Sequence, residues 1–486
     1  MNYARVLIPF DNITTGEDIY RLYFIPPPGE PELVEEFATV TSSAVASSTA
    51  APNATSSATT SATTSATATK TVPAPGYPSP FIREMNNLNS GYFLNGEGYD
   101  DVAVLAVNSF VGSGADEIPF QEVNTYLIDQ AIAQGKTKLI VDVSANGGGT
   151  ILQGYDLFKQ LFPQILPYGA TRFRAHEAFD LIGQEVSAYS ALVPRSIDSN
   201  ETVKNLVSSA FNYRTDADVN YEPFTSWAEK FGPHAFGPQP DNFTSIIRWN
   251  LSDVLTPENS GGIEISGYGN RSNITTQPFA NENIIVVYDG YCASTCTIFS
   301  ELMRQQAGIK TVALGGRPNR DIIQAVGGVK GTNDFPWDYI LSSVEEPFQL
   351  QLLHDADYYN STALGEYSDL PFYRATNYVV NSRDGIRQGD ESELPLQFYY
   401  EPADCRIYYT PAMVVDETAV WKTVADTAFN GISHCVAGNL TSSAGSYKRG
   451  GLRRKHNVRR DIDTSEHIDA IAVSYTHLTL PTKRIV

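Results

Sequence analysis

The sequence predicts an α/β fold built on a largely parallel sheet. Three observations carry that reading. Two apolar runs, TKLIVDVS (137–144) and NIIVVYD (283–289), have the character of buried strands. Each run enters a glycine-bearing corner, and helical apolar spacing follows each corner. Strands alternating with helices imply parallel strands joined by crossover helices.

Taken in order, DVAVLAV (101–107) is the first strand of this pattern. IPFQEVNTYLIDQAIAQG (118–135) has helical apolar spacing and a glycine stop. TKLIVDVS follows, then NGGG (146–149), then TILQGYDLFKQLFP, a helix that Pro163 closes. Later come IIVVYDG, the helix STCTIFSELMRQQAG and the strand IKTVALGG (309–316). Residues 170–280 are rich in Phe, Tyr, Asn and Pro with weak periodicity, and read as an inserted, partly helical cap. Around this core the expected boundaries are a remnant of an N-terminal region over 1–37, a linker over 38–76, the globular domain over 77–440 and a basic tail over 441–486. The linker is almost wholly Ala, Ser and Thr through residue 72. Such composition buries too little apolar area to offset its ordering entropy.

Composition narrows the partners. Against 34 basic side chains stand 55 acidic ones, a net charge of −21, which argues against nucleic acid or an anionic membrane surface. No apolar stretch is long enough to span a bilayer. MNYARVLIPF lacks the apolar core and cleavage pattern of a signal peptide, yet the rest has secreted character. Glycosylation sequons occur at Asn12, Asn53, Asn200, Asn242, Asn250, Asn270, Asn273, Asn360 and Asn439, and four cysteines fit two disulfides. The expectation is a secretory-pathway protein whose true start lies upstream of Met1. The run KRGGLRRKHNVRR (448–460) reads as a solvated basic tail, with Lys448-Arg449 as an alternative dibasic processing site. The closing SYTHLTLPTKRIV resembles translated adapter sequence and joins no expected element.

The NGGG corner is not a phosphate loop. Leu152 stands where a dinucleotide fingerprint needs its third glycine, and Tyr155-Asp156 replace the Lys and hydroxyl of a phosphate-binding loop. What remains is a strand end whose backbone N–H groups no side chain shields. It is either a tight strand-to-helix turn or an oxyanion hole, donors aimed at a carbonyl oxygen as it becomes negative. Ser294, between Cys292 and Cys296, is likewise either a helix N-cap or a nucleophile at a strand-turn-helix corner that the cysteines hold rigid. Cysteines occupy both glycine positions of Gly-x-Ser-x-Gly, so the sharp nucleophile turn of an α/β-hydrolase is disfavoured.

Together, VDVSANGGGTILQGYDLFKQLFP and YDGYCASTCTIFSELM resemble the secreted fungal branch of the tail-specific, or C-terminal processing, serine peptidases. The resemblance covers roughly residues 77–440. It implies a crotonase/Clp-like β-α superhelical core with a large, irregular, partly helical insertion. It implies Ser294 as nucleophile and an oxyanion hole from Gly147 or Gly148 with the Thr295 amide. Some relatives of this branch are encoded with fungal mycotoxin pathways, which implies processing of a precursor peptide.

The base that activates the serine stays open. Lys330 in GGVKGT fits a Ser–Lys dyad, although 36 residues after Ser294 is a longer interval than that pattern usually shows. A Ser–His–Glu arrangement takes Glu301 as its carboxylate, but its Asp-Gly-His motif is missing, and His176, His234, His354, His434, His456, His467 and His477 all lack that context. Zinc is disfavoured by the cysteine spacing. Disulfides are expected instead, Cys405 with Cys435 and a second bridge near the serine. Three classes follow: a secreted serine endopeptidase acting on peptide or protein substrates without a cofactor, a catalytically silent binding protein on the same scaffold, and a mucin-like glycoprotein.

Overall fold

The computed structural model describes residues 14–18, 74–236, 241–367 and 379–440. Expectations for residues 1–13, 19–73 and 441–486 lie outside the described residues. These include Asn12, Asn53, the Ala/Ser/Thr stretch, the basic tail, His456, His467 and His477.

An α/β sheet of eight strands organises the chain. Its strands are β1 (Ile82–Arg83), β2 (Asn89–Phe93), β3 (Val102–Val107), β4 (Lys138–Asp142), β5 (Ile284–Tyr288), β6 (Lys310–Leu314), β7 (Cys405–Ile407) and β8 (Ala437–Gly438), and spatial order follows chain order. The five central strands, β3 to β7, pair in parallel, while β1, β2 and β8 pair antiparallel at the flanks. The expected strands of this core are all present, one to three residues shorter than their apolar runs.

Alternation along each strand assigns its neighbours. Leu105, Val107, Leu139, Val141, Ile284, Val286 and Tyr288 face one way. They pack against α1 (Gly114–Ala133), α2 (Ile151–Leu161) and α4 (Thr295–Glu301) through Phe120, Leu127, Phe158 and Phe299. Val104, Ala106, Ile140, Ile285 and Val287 face the other way, against Val420, Trp421 and Val424 of α6 (Glu417–Ala428). Burial on both faces is why these strands read as continuous apolar runs. The helix expected over STCTIFSELMRQQAG is α-helical only through Glu301 and continues as a π turn over Leu302–Gln306.

A third apolar cluster lies apart from the sheet. Phe173, Phe179 of α3 (Glu177–Leu192), Trp227 and Ile247 pack with Val344 of α5 (Trp337–Leu350) and Tyr359. Residues 173–247 of the expected insertion therefore share their core with 344–364. Its later part, through Ile263, Ile265 and Phe279, belongs to the sheet's own core.

Candidate active site

Parallel pairing of β4 and β5 brings their C-terminal ends side by side. Asp142 lies opposite Val287, and the Val143 N–H donates to the Val287 carbonyl at 3.0 Å. The glycine bend leaves β4 and the serine corner leaves β5, so adjacent strands deliver both to one rim of the sheet. Asp289 ties the two exits together, accepting from the Ala145 N–H at 2.8 Å and the Tyr291 N–H at 2.9 Å. Asn146, fully buried, is the keystone. Its Nδ2 donates to the Val107 carbonyl, its Oδ1 accepts from the Gly148 N–H, both at 2.8 Å, and its carbonyl accepts from the Ala293 N–H at 3.1 Å.

Only glycine fits the bend at two positions. Gly148 has φ +98°, and a Cβ there would lie 2.6 Å from Ser294 Cβ and 2.8 Å from the Thr295 nitrogen. Gly149 has φ +136°, and its Cβ would lie 2.0 Å from the Phe110 carbonyl carbon. The bend is thus pressed directly onto the serine corner. Its amides differ. Gly148 donates to Asn146, whereas the Gly147, Gly149 and Thr295 N–H groups meet no acceptor among the described residues. Of the oxyanion donors named above, Gly147 and Thr295 are free and Gly148 is engaged.

Ser294 departs from two expectations. It stands at the N-cap position of α4, yet its side chain caps nothing, and none of the described residues hydrogen-bonds its partly exposed hydroxyl. Its backbone takes φ 52° and ψ −121°, a strained conformation for an L-residue, so the sharp turn disfavoured by the missing glycines is present. Two bridges enclose it. Cys292 and Cys296 form a disulfide around it, and the Ser294 N–H donates to the Val329 carbonyl at 2.7 Å. The segment carrying Val329 is itself clamped to the corner, because the Gly328 N–H donates to the Cys292 carbonyl at 3.1 Å.

Lys330 is therefore next to a residue that bonds the serine backbone. The residue is 7% exposed and its Nζ donates to the Tyr399 carbonyl, not to Ser294 Oγ. Burial holds the ammonium below its ordinary pKa, while the Glu401 carboxylate pulls the other way. Glu301 does not face a histidine. Both its oxygens accept from Arg387 at 2.8 Å, and Arg387 also bridges to Glu401, which pairs with Arg304 at 2.7 Å. His176 caps α3, His234 bonds Ser245, His354 stacks on Tyr358 and His434 faces Asp426. None of these four bonds Ser294. An apolar recess lined by Tyr155, Ile298, Leu302, Ile386 and Leu396 lies against α4, starting one helical turn beyond the serine.

Sequence reading missed Asn146, Asp289, Arg387 and Glu401. The first had a signal, since Asn immediately before consecutive glycines at a strand end is a turn-forming residue. Arg387 and Glu401 had none, because they meet only through folding. Cys405 and Cys435 form the second disulfide. Asn200, Asn242, Asn270, Asn273, Asn360 and Asn439 are exposed and Asn250 is partly buried. No group of His, Cys, Asp and Glu among the described residues is placed to hold a metal, and no described helix is long and apolar enough to cross a membrane.

No family model matches the chain. Among curated proteins it is 33% identical over 388 residues to the Peptidase S41 family protein phomP1' of Diaporthe leptostromiformis, across 73% of this chain and 56% of that protein. It is 32% identical over 376 residues to the Peptidase S41 family protein ustP of Aspergillus flavus, across 74% of this chain and 75% of that protein. The chain thus spans little more than half of the first relative and three quarters of the second. Among solved structures it is similar to mature CPAF, at 14% identity and a TM-score of 0.36 over 74% of this chain and 57% of that one. With three quarters of ustP matched at this identity, and with glycine bend and serine corner on adjacent strand ends, the chain belongs to the peptidase S41 family.

Proposed function

We propose that the chain is a serine endopeptidase of the secretory pathway that cleaves peptide bonds through an acyl-enzyme on Ser294. One observation carries the reading: a strained serine is packed against a glycine bend, and among the described residues its hydroxyl and the Gly147 and Thr295 amides have no hydrogen-bond partner. In this reading Ser294 Oγ attacks the scissile carbonyl and the developing oxyanion accepts from the Gly147 and Thr295 N–H groups. Lys330, buried and partly desolvated, is the general base, its Nζ leaving the Tyr399 carbonyl for Ser294 Oγ when substrate is bound. The recess along α4 takes a substrate side chain that is apolar and uncharged, because Arg387 neutralises Glu301 at its wall. Two disulfides and exposed sequons support maturation in an oxidising compartment as a glycoprotein. The resemblance to the fungal branch supports a precursor peptide of secondary metabolism as the substrate class.

A fluorophosphonate probe tests the reading. It is expected to modify wild-type chain at Ser294, and Ser294→Ala is expected to abolish labelling and lower kcat/KM at least about 10³-fold. Labelling elsewhere, or peptide turnover that survives the substitution, contradicts the assignment. A second reading, a binding protein without turnover, is favoured by one fact: no described Lys or His nitrogen bonds Ser294 Oγ. It predicts peptide binding with no hydrolysis.

A further inference from the structure

A serine at φ 52° and ψ −121° needs something to hold it there. Its own side chain does not, since it caps nothing and makes no hydrogen bond among the described residues. No residue from Cys292 to Cys296 is glycine, so local backbone freedom offers no relief. Three hydrogen bonds clamp the corner from outside, from Ala293 to Asn146, from Ser294 to Val329 and from Gly328 to Cys292. The remaining constraint is covalent. Cys292 and Cys296 bracket the serine symmetrically, their Cα atoms 5.4 Å apart. Both are fully buried in the core cluster that includes Phe110, Phe299 and Ala325, whereas Ser294 between them is only partly buried. The bridge therefore anchors the underside of the corner in the core and leaves the hydroxyl on the rim.

Resting on the peptidase reading above, we infer that Cys292 and Cys296 are positioning residues for the nucleophile, and that the acylation centre is assembled only when their disulfide has closed. The chemistry is thiol–disulfide exchange with an oxidised dithiol donor. One cysteine thiolate attacks a donor sulfur, forming a mixed disulfide and releasing one donor thiolate. The second cysteine thiolate then attacks the first cysteine's sulfur and expels the other donor thiol. The chain loses two electrons and two protons, and the donor gains both. A chain still in a reducing compartment is thereby held as an inactive precursor.

The test compares Cys292→Ala/Cys296→Ala with Cys405→Ala/Cys435→Ala as matched control, reading fluorophosphonate acylation rate, kcat, KM and the melting transition. The first variant is expected to lose on the order of 30- to 100-fold in acylation rate and kcat, with KM within about threefold and a cooperative melt. The control is expected to keep its acylation rate and KM within about threefold. As a second measurement, the control chain is reduced under mild denaturant and reoxidised, and acylation should return in proportion to the disulfide re-formed. Acylation by Cys292→Ala/Cys296→Ala at the control's rate overturns the inference, as does acylation by the reduced chain. Failure of wild type and control alike to acylate overturns the peptidase reading and this inference with it, so the two failures are distinguishable.

Discussion

The two disulfides sit on opposite faces of the sheet. Cys292–Cys296 closes a ring across four residues, around the strained backbone of Ser294. Cys405–Cys435 spans thirty residues, running from the start of β7 past α6 to the turn before β8. In the chain-entropy model the short ring stabilises the fold by about 2 kcal/mol and the long one by about 3.7 kcal/mol. The cross-link with less to offer global stability sits around a residue whose backbone is strained. With the short bridge positioning Ser294, as inferred above, geometry at the corner and stability at the sheet edge become separable properties.

Three variants test that contrast. Lys330→Met should have the largest effect on the corner, lowering kcat by about 10²–10³-fold while the melting temperature holds or rises. In wild type the ascending limb of kcat/KM against pH should fall below the ordinary lysine value, because burial disfavours the ammonium. Gly148→Ala should come next. Its Cβ meets Ser294 Cβ at 2.6 Å and the Ala293 carbonyl oxygen at 2.7 Å, so acylation should drop about 10²-fold, with roughly 2–3 kcal/mol of stability lost in denaturant titration. Away from the corner, Cys405→Ala/Cys435→Ala should cost about 3–4 kcal/mol in the same titration and spare kcat. A loss of kcat there would erase the distinction between the two bridges.

The smallest effect is a pH dependence remote from both. Burial pushes the Glu346 carboxyl up to about 8, and its Oε2 has no hydrogen-bond partner among the described residues. Burial, then the charge of Asp142, pushes Glu417 up to about 7. Both values lie above the unfolded value of 4.5, so the folded state holds these protons longer than the unfolded state. Their contribution is full below about pH 4.5 and is lost as pH rises through 7 to 8. Stability should therefore fall between pH 5 and about pH 9, and Glu346→Gln should recover on the order of 2 kcal/mol at the upper end. A pH-independent denaturation midpoint would contradict the assignment.

Much of the sheet was legible because its signal is local. Runs such as TKLIVDVS and NIIVVYD encode two-sided burial directly, and the glycines after the first mark a corner. The insertion was less so, because Phe173 and Val344 share a core across 171 residues of separation that no periodicity reveals. At the site, Ser294 and the glycine bend were readable as motifs, but their adjacency follows from the β4–β5 register. The strain at Ser294 was misjudged from the missing glycines, since the turn is held by a disulfide and by Asn146. Glu301 was read as the carboxylate of a Ser–His–Glu arrangement, which the structure does not assemble among the described residues. Its partner Arg387 lies 86 residues away, beyond any spacing argument.

The most direct measurement of the central claim is a crystal structure of the chain phosphonylated on Ser294. The account predicts one phosphonyl oxygen about 2.7–3.1 Å from both the Gly147 and Thr295 amide nitrogens, the distance expected of oxyanion donors. An adduct whose oxygens all point away from the glycine bend would contradict it.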